Sequence, residues 1–176
     1  MKGLLVTLQA RRVVAASVLA GALATAGCGS LETDRAATVD GRVITESQVQ
    51  TAQSQINETF PDANLTAADV LSRLVQAPVV LALAAEQGAP LSESVAEATY
   101  TGQPGYSGEE PATETLDLLR AELALQQLRS TGAQVPVEAF ADLDVDVNPR
   151  YGQFDPQTAS VTAVTPAWIE PFAPAQ

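Results

Sequence analysis

The fold of this chain is decided by residues 36–49, which read AATVDGRVITESQV. At the centre of this stretch Asp40 and Gly41 stand between two short runs rich in β-branched residues. A two-residue type I′ turn needs positive φ at both central positions, which Asp and Gly tolerate better than most residues. The stretch therefore predicts a tight β-hairpin at the start of the folded chain.

The residues after this hairpin predict the start of a helix. Thr45 can cap the helix, and Gln48, three residues later, can complete a capping box. Ile44 and Val49 occupy the two positions of a hydrophobic staple. Because the turn, the cap and the staple all mark the same boundary, we expect a first helix that runs to about Phe60.

The first helix carries one narrow apolar stripe. Its apolar residues recur at steps of three and four, the spacing of an amphipathic helix: Val49, Ala52, Ile56 and Phe60. The polar residues between them are expected to face water: Gln50, Gln53, Gln55, Asn57 and Glu58. Such a stripe needs a partner that covers it.

A second capping box, formed by Thr66 and Asp69, predicts that another helix begins after the turn at residues 61–64. Leu65 and Val70 supply its staple. The helix is expected to end at Gly88, because glycine commonly follows the last helical turn.

The second helix is expected to be the central element of the fold. Residues 77–85 are apolar on every side, which is typical of a buried helix. Arg73, Gln76 and the limited length of the apolar run argue against a membrane span. Pro78 cannot donate to the carbonyl of Leu74, so we expect a kink or a restart there.

Two more helices are predicted before the chain changes character. Ser92 can open a short third helix that ends near Tyr100, and residues 101–111 hold three glycines and two prolines, which favours a loop. A fourth helix follows over residues 112–130. Its leucines form two stripes, so it should be covered from two sides: Leu116, Leu119 and Leu123 on one, Leu118, Leu125 and Leu128 on the other.

The C-terminal tail is rich in proline and aromatic residues. Residues 142–147 alternate between acidic and apolar side chains, which predicts a strand with one acidic face. Their spacing resembles a calcium loop, but Val147 and Gln153 stand where Gly and Glu are required. The aromatic side chains are expected to anchor the tail on the helices, and exposed recognition is the alternative: Phe140, Tyr151, Phe154, Trp168 and Phe172.

The N-terminus predicts a bacterial lipoprotein. Basic residues precede a short apolar run over residues 13–26, and small residues lead to Cys28, the only cysteine. We therefore predict a signal peptide over residues 1–27, lipid attachment such as palmitate at Cys28, a linker over residues 28–35 and one domain over residues 36–176. The alternative is an ordinary signal peptide with Cys28 incidental.

Charge and composition restrict the class of function. From Cys28 onward the chain keeps six arginines against 21 acidic residues, a formal charge of −15. We therefore predict that neither nucleic acid nor anionic lipid headgroups are partners, since both are bound by basic surfaces. The chain has no histidine. This removes the usual general base and most zinc sites, and we predict no cofactor, no metal and no catalytic residue.

Three segments resemble the N-terminal domain of SurA-like periplasmic chaperones and PrsA-like foldases. Residues 39–45 are similar to the family's turn and first helix start, and residues 70–88 to its long helix that ends in Ala-x-x-x-Gly. Residues 148–155, Asn-Pro-Arg-Tyr-Gly-Gln-Phe-Asp, resemble a segment of actinobacterial SurA-like lipoproteins, as do residues 166–169. Pro78 departs from the family pattern.

The resemblance implies a mainly α domain: about four helices around a central apolar helix, a short N-terminal β-hairpin and a tail that packs back on the body. Foldases of this family carry an inserted parvulin isomerase domain with paired histidines, which this chain lacks. The implied function is that of a non-catalytic holdase, anchored through Cys28 to the extracytoplasmic face of the membrane, whose partners are unfolded envelope or secreted proteins. The alternative is an adaptor for one folded envelope partner. The residues that contact a client and the oligomeric state are not predicted.

Overall fold

The computed structural model describes residues 34–164. Four helices make up about half of this part of the chain, which confirms the mainly α class. They are α1 (Glu46–Thr59), α2 (Ala67–Glu86), α3 (Glu93–Thr101) and α4 (Thr113–Ser130). The strands are β1 (Arg35–Val39), β2 (Arg42–Thr45), β3 (Val145–Val147), β4 (Gln153–Asp155) and β5 (Ser160–Thr162), with a 3₁₀ turn at Val137–Phe140.

The predicted hairpin is formed by β1 and β2. Val39 pairs with Arg42, so Asp40 and Gly41 are the two loop residues, with φ of 49° and 79°. These are the positive angles that a type I′ turn requires. The fold reaches slightly further toward the N-terminus than the predicted domain boundary, because β1 begins at Arg35.

Both predicted capping boxes are present. Gln48 N donates to Thr45 Oγ1 over 3.2 Å, and Thr45 N donates to Gln48 Oε1 over 2.8 Å. The second box has the same geometry: Asp69 N donates to Thr66 Oγ1 over 3.2 Å, and Thr66 N donates to Asp69 Oδ2 over 2.9 Å. The hydrogen bonds from Thr66 hold the pKa of the Asp69 carboxyl below its usual value.

One residue on the polar face of α1 differs from the prediction. Gln55 does not face water but is buried, and its Oε1 accepts hydrogen bonds from Ala112 N at 2.9 Å and Thr115 Oγ1 at 2.6 Å. Its Nε2 donates to the carbonyl of Glu110. Ala112 has no side chain that could cap α4, so Gln55 supplies from α1 the acceptor that this helix start lacks.

Helix α2 lies at the centre of the fold and continues through Pro78 as one helix. The structure gives a physical reason: the carbonyl of Leu74, left without its helical donor by Pro78, accepts a hydrogen bond from Arg42 Nη2 at 3.3 Å. Helix α2 packs against α1, α4, β1 and β5. Its length and composition would also allow it to cross a membrane, but its first half forms the core of this fold.

The second half of α2 differs from the prediction that residues 77–85 are buried on every side. Ala77, Val80 and Ala84 are buried, but Ala82 and Ala85 are exposed. Three large side chains on this half are only partly buried: Val79, Leu81 and Leu83. Beyond Pro78 the helix is therefore buried on one face only, because fewer elements surround it there.

Helix α4 is covered from two sides, as its two leucine stripes predict. Leu116 and Leu119 belong to the cluster that holds Ala96 and Tyr100 of α3. The second stripe joins the clusters around α2, with Leu118 in one and Leu128 in the other.

The tail up to Val164 packs back on the body. β3 pairs with β1, so the sheet has the order β2-β1-β3, and β4 and β5 form a second hairpin. The strand predicted over residues 142–147 is shorter in the structure, where β3 covers only Val145–Val147. Phe140 is buried, and Tyr151 and Phe154 are partly buried against the core, whereas Trp168 and Phe172 lie outside the described residues.

Residues 148–152 hold the tail in place through contacts with β1, α1 and β5. Asn148 N donates to the carbonyl of Ala36 over 2.8 Å, and Arg150 Nη1 contacts both carboxylate oxygens of Glu46 at 2.9 and 3.0 Å. Gly152 has a φ of 120°, and a Cβ there would lie 1.9 Å from the carbonyl oxygen of Thr162. Only glycine fits at this close approach between the start of β4 and the end of β5.

Candidate functional site

An apolar groove of about 400 Å³ opens between α1, α2 and α4. We call it the α1–α4 groove. Its residues come from the end of α1, the following turn, and the facing sides of α2 and α4: Ile56, Phe60, Asp62, Ala63, Leu65, Arg73, Leu118, Leu119 and Glu122.

The groove has a buried floor and a more accessible wall. Ile56, Leu118 and Leu119 form the floor and are buried. Ala63 and Leu65 form one wall and are partly exposed. This arrangement presents apolar surface to a ligand without requiring the core to open.

The wall is held in place by the polar face of α1. Asn57 Oδ1 accepts a hydrogen bond from Leu65 N at 2.8 Å, and the Leu65 carbonyl accepts from Asn57 Nδ2 and Gln53 Nε2, both at 2.9 Å. Phe60 is fixed on its other side by Tyr100, with ring centroids 6.3 Å apart. The amphipathic pattern of α1 predicted that Gln53 and Asn57 face water. In the structure they hold the turn that shapes the groove.

The polar rim of the groove is an ion pair between Arg73 of α2 and Glu122 of α4. Both side chains are about two-fifths exposed, at 38% and 42%. The same two residues also line a second cavity with Asp69, Ser72 and Gln76. The ion pair therefore separates the apolar groove from a neighbouring polar one.

Two polar side chains of this second cavity, Ser72 and Asp69, are engaged by hydrogen bonds within the fold. Ser72 Oγ donates to the carbonyl of Ala68 and accepts from Val161 N, both at 2.8 Å, so this hydroxyl is occupied by the fold. The hydrogen bonds that lower the pKa of Asp69 make this carboxylate a weaker base. Outside this cavity, burial and the nearby Glu46 carboxylate raise the pKa of Tyr151, away from neutrality.

A third cavity, of about 540 Å³, follows the outer edge of β3. Asp40 N donates to the Asp144 carbonyl, and Asn148 N donates to the Ala36 carbonyl. In an antiparallel pair, positions that bond to the partner strand alternate with positions that do not. The N–H and C=O groups of Val145 and Val147 therefore point away from β1, toward the cavity. Val164 also lines this cavity, so the tail continues from here beyond the described residues.

Comparison with known proteins identifies no relative: no family model, curated protein or solved structure matches this chain. The resemblance to SurA-like proteins therefore stays a prediction from the sequence. The predicted lipid-attachment residue, Cys28, lies outside the described residues. Within residues 34–164 no three His, Cys, Asp or Glu side chains are grouped closely enough to hold a metal ion.

Proposed function

We propose that this protein is a non-catalytic holdase that binds apolar segments of unfolded extracytoplasmic proteins in the α1–α4 groove. The observation that carries the proposal is the groove itself, an open apolar surface whose wall is fixed by hydrogen bonds from Asn57 and Gln53. A preformed wall lowers the entropy that binding must offset. The resemblance of residues 39–45, 70–88 and 148–155 to SurA-like proteins supports the same function.

The acidic surface supports this function in a second way. Residues 34–164 carry six arginines and 19 acidic residues, so a complex with an unfolded chain keeps a large net charge. Like-charged complexes repel each other and stay in solution. The groove lacks the deep, enclosed pockets of tight interfaces, and we expect dissociation constants on the order of micromolar.

Light scattering by a denatured client tests the proposal. The mature chain with Cys28→Ser should delay client aggregation without ATP in proportion to its molar ratio. Ala63→Gln places a longer polar side chain in the groove wall and should weaken this effect. Val95→Gln is the matched control, because Val95 is 46% exposed on α3 and does not line the groove.

Equal suppression by the two variants would show that the groove is not the client site. No suppression even at several-fold excess, together with one stoichiometric partner in a cross-linking pull-down from cells, would favour the adaptor instead. Thermal unfolding of both variants checks that they are folded.

The proposal includes a lipid anchor at Cys28 on the extracytoplasmic face of the membrane. Its support is the apolar run over residues 13–26 followed by small residues and the only cysteine. Cys28→Ser in cells should leave the precursor unprocessed or release the protein from the membrane fraction. Normal processing together with unchanged fractionation would refute the anchor.

A further inference from the structure

The charges that line the α1–α4 groove leave an excess of one negative charge. Asp62 lines the groove and is exposed, and it takes part in none of the ion pairs formed within residues 34–164. Glu122 lines it as well but is already paired with Arg73. The uncompensated charge at the groove is therefore negative.

Helix α1 adds to this negative potential. It ends at Thr59, directly beside the groove residue Phe60, and has no basic residue in its last turn. The C-terminal end of a helix carries a partial negative charge, which here is left without an offsetting side chain. Glu58 in the same turn is exposed to solvent.

The arginines elsewhere do not correct the imbalance. Arg35, Arg120 and Arg150 form ion pairs with other carboxylates, and Arg42 donates to the Leu74 carbonyl. Arg129 is exposed and lines the neighbouring polar cavity, not the α1–α4 groove. A bound segment with basic residues would thus gain favourable charge interactions at the groove. An acidic segment of equal hydrophobicity would be repelled.

Resting on the proposed function, we infer that the groove selects segments of unfolded chains in which apolar residues are flanked by Lys or Arg. The apolar residues supply contact with Ile56, Leu118 and Leu119, and the flanking cation meets Asp62 and the end of α1. The apolar contribution tolerates salt, whereas the preference for basic flanks is screened by salt.

The test compares two labelled peptides with the same Leu-Phe-Ile centre, one flanked by lysines and one by glutamates. Binding to the mature chain with Cys28→Ser is followed by fluorescence anisotropy. At low ionic strength we expect the lysine peptide to bind about fivefold to tenfold more tightly, from a few exposed charge pairs. In 0.5 M salt the ratio should fall to about twofold.

Three variants separate local from overall charge. Asp62→Asn should lower the ratio of the two affinities. Arg73→Gln should raise it, because Glu122 then becomes free to meet the client's cation. Glu138→Gln changes the net charge as Asp62→Asn does, but Glu138 is exposed and lines none of the three cavities described above, so the ratio should stay unchanged.

The possible results lead to different conclusions. Binding of neither peptide would reject the holdase groove itself. Equal affinities would leave that proposal standing and overturn the selectivity for basic flanks. The role of the groove rim would be overturned if Glu138→Gln lowered the ratio of the two affinities as much as Asp62→Asn does. It would also be overturned if Arg73→Gln lowered this ratio.

Discussion

The two ends of the described chain are built by different kinds of interaction. From β1 to the start of α2, the turn and both capping boxes join residues no more than three positions apart. Residues 145–162 are held mainly by distant partners: Asn148 bonds to Ala36, and Arg150 pairs with Glu46. The first region is stabilised locally, whereas the second depends on the body being already in place.

The largest expected effect compares one glycine from each region. Gly152→Ala places a Cβ 1.9 Å from the Thr162 oxygen at a φ of 120°, and should cost roughly 3 kcal/mol or more. Gly41→Ala meets no atom within 4 Å and is strained only by its φ of 79°, for a cost of about 1 kcal/mol. Urea unfolding followed by circular dichroism measures both. Equal costs would contradict the close approach of Gly152 to Thr162.

A smaller effect concerns the one long-range bond from the first hairpin to α2. Arg42→Ala removes the donor to the Leu74 carbonyl and should cost about 1 kcal/mol of unfolding free energy. Pro78→Ala restores the helical N–H and should itself stabilise the protein.

The double variant decides whether the two residues act together. In the Pro78→Ala background, loss of the Arg42 side chain should cost only a few tenths of a kcal/mol, since the carbonyl then has its helical donor. Strictly additive costs would show that Arg42 does not compensate for Pro78.

The two capping boxes give a third test, through pH. Thr66→Ala and Thr45→Ala should each cost about 1 kcal/mol at neutral pH. The Asp69 pKa is lowered by its hydrogen bonds with Thr66, so the stabilisation is complete above the usual value of 3.8 and is lost as pH falls through the lowered pKa. The cost of Thr66→Ala should shrink in acid. The cost of Thr45→Ala should not, because its partner Gln48 does not titrate.

The smallest effect is expected at the ion pair between Arg150 and Glu46. Arg150 is 74% exposed, so Arg150→Gln should cost about 0.5 kcal/mol in low salt and less at high ionic strength. Thermal unfolding at two salt concentrations measures this difference. A large, salt-independent loss would mean that Arg150 contributes by packing.

The local region could be predicted from the sequence because its signals lie within a few residues. The turn at Asp40 and Gly41 and both capping boxes follow from side-chain chemistry alone. The role of Gln55 could not be predicted in this way, since periodicity assigns a polar residue on an amphipathic helix to water. The poor capping residue Ala112 at the start of α4 was the only signal that an acceptor from elsewhere was needed.

The groove was also beyond sequence reasoning, although its apolar residues were recognised. Leu118 and Leu119 were assigned to two different stripes of α4, and the structure brings both to the same floor. Ala63 contributes to the opening because its methyl group is too small to fill the space beside them. Such a gap depends on the distance between elements, which no local pattern encodes.

The order of the sheet has a consequence for how the protein folds during synthesis. β1 is the central strand of the sheet, and its first partner, β2, follows it directly in the sequence. Its second partner, β3, comes about a hundred residues later, where Val147 pairs with Ala37. Until the chain has emerged that far, one side of β1 stays unpaired. We expect hydrogen exchange during refolding to protect the hairpin amides first and the β1–β3 amides last, because closing so long a loop is slow.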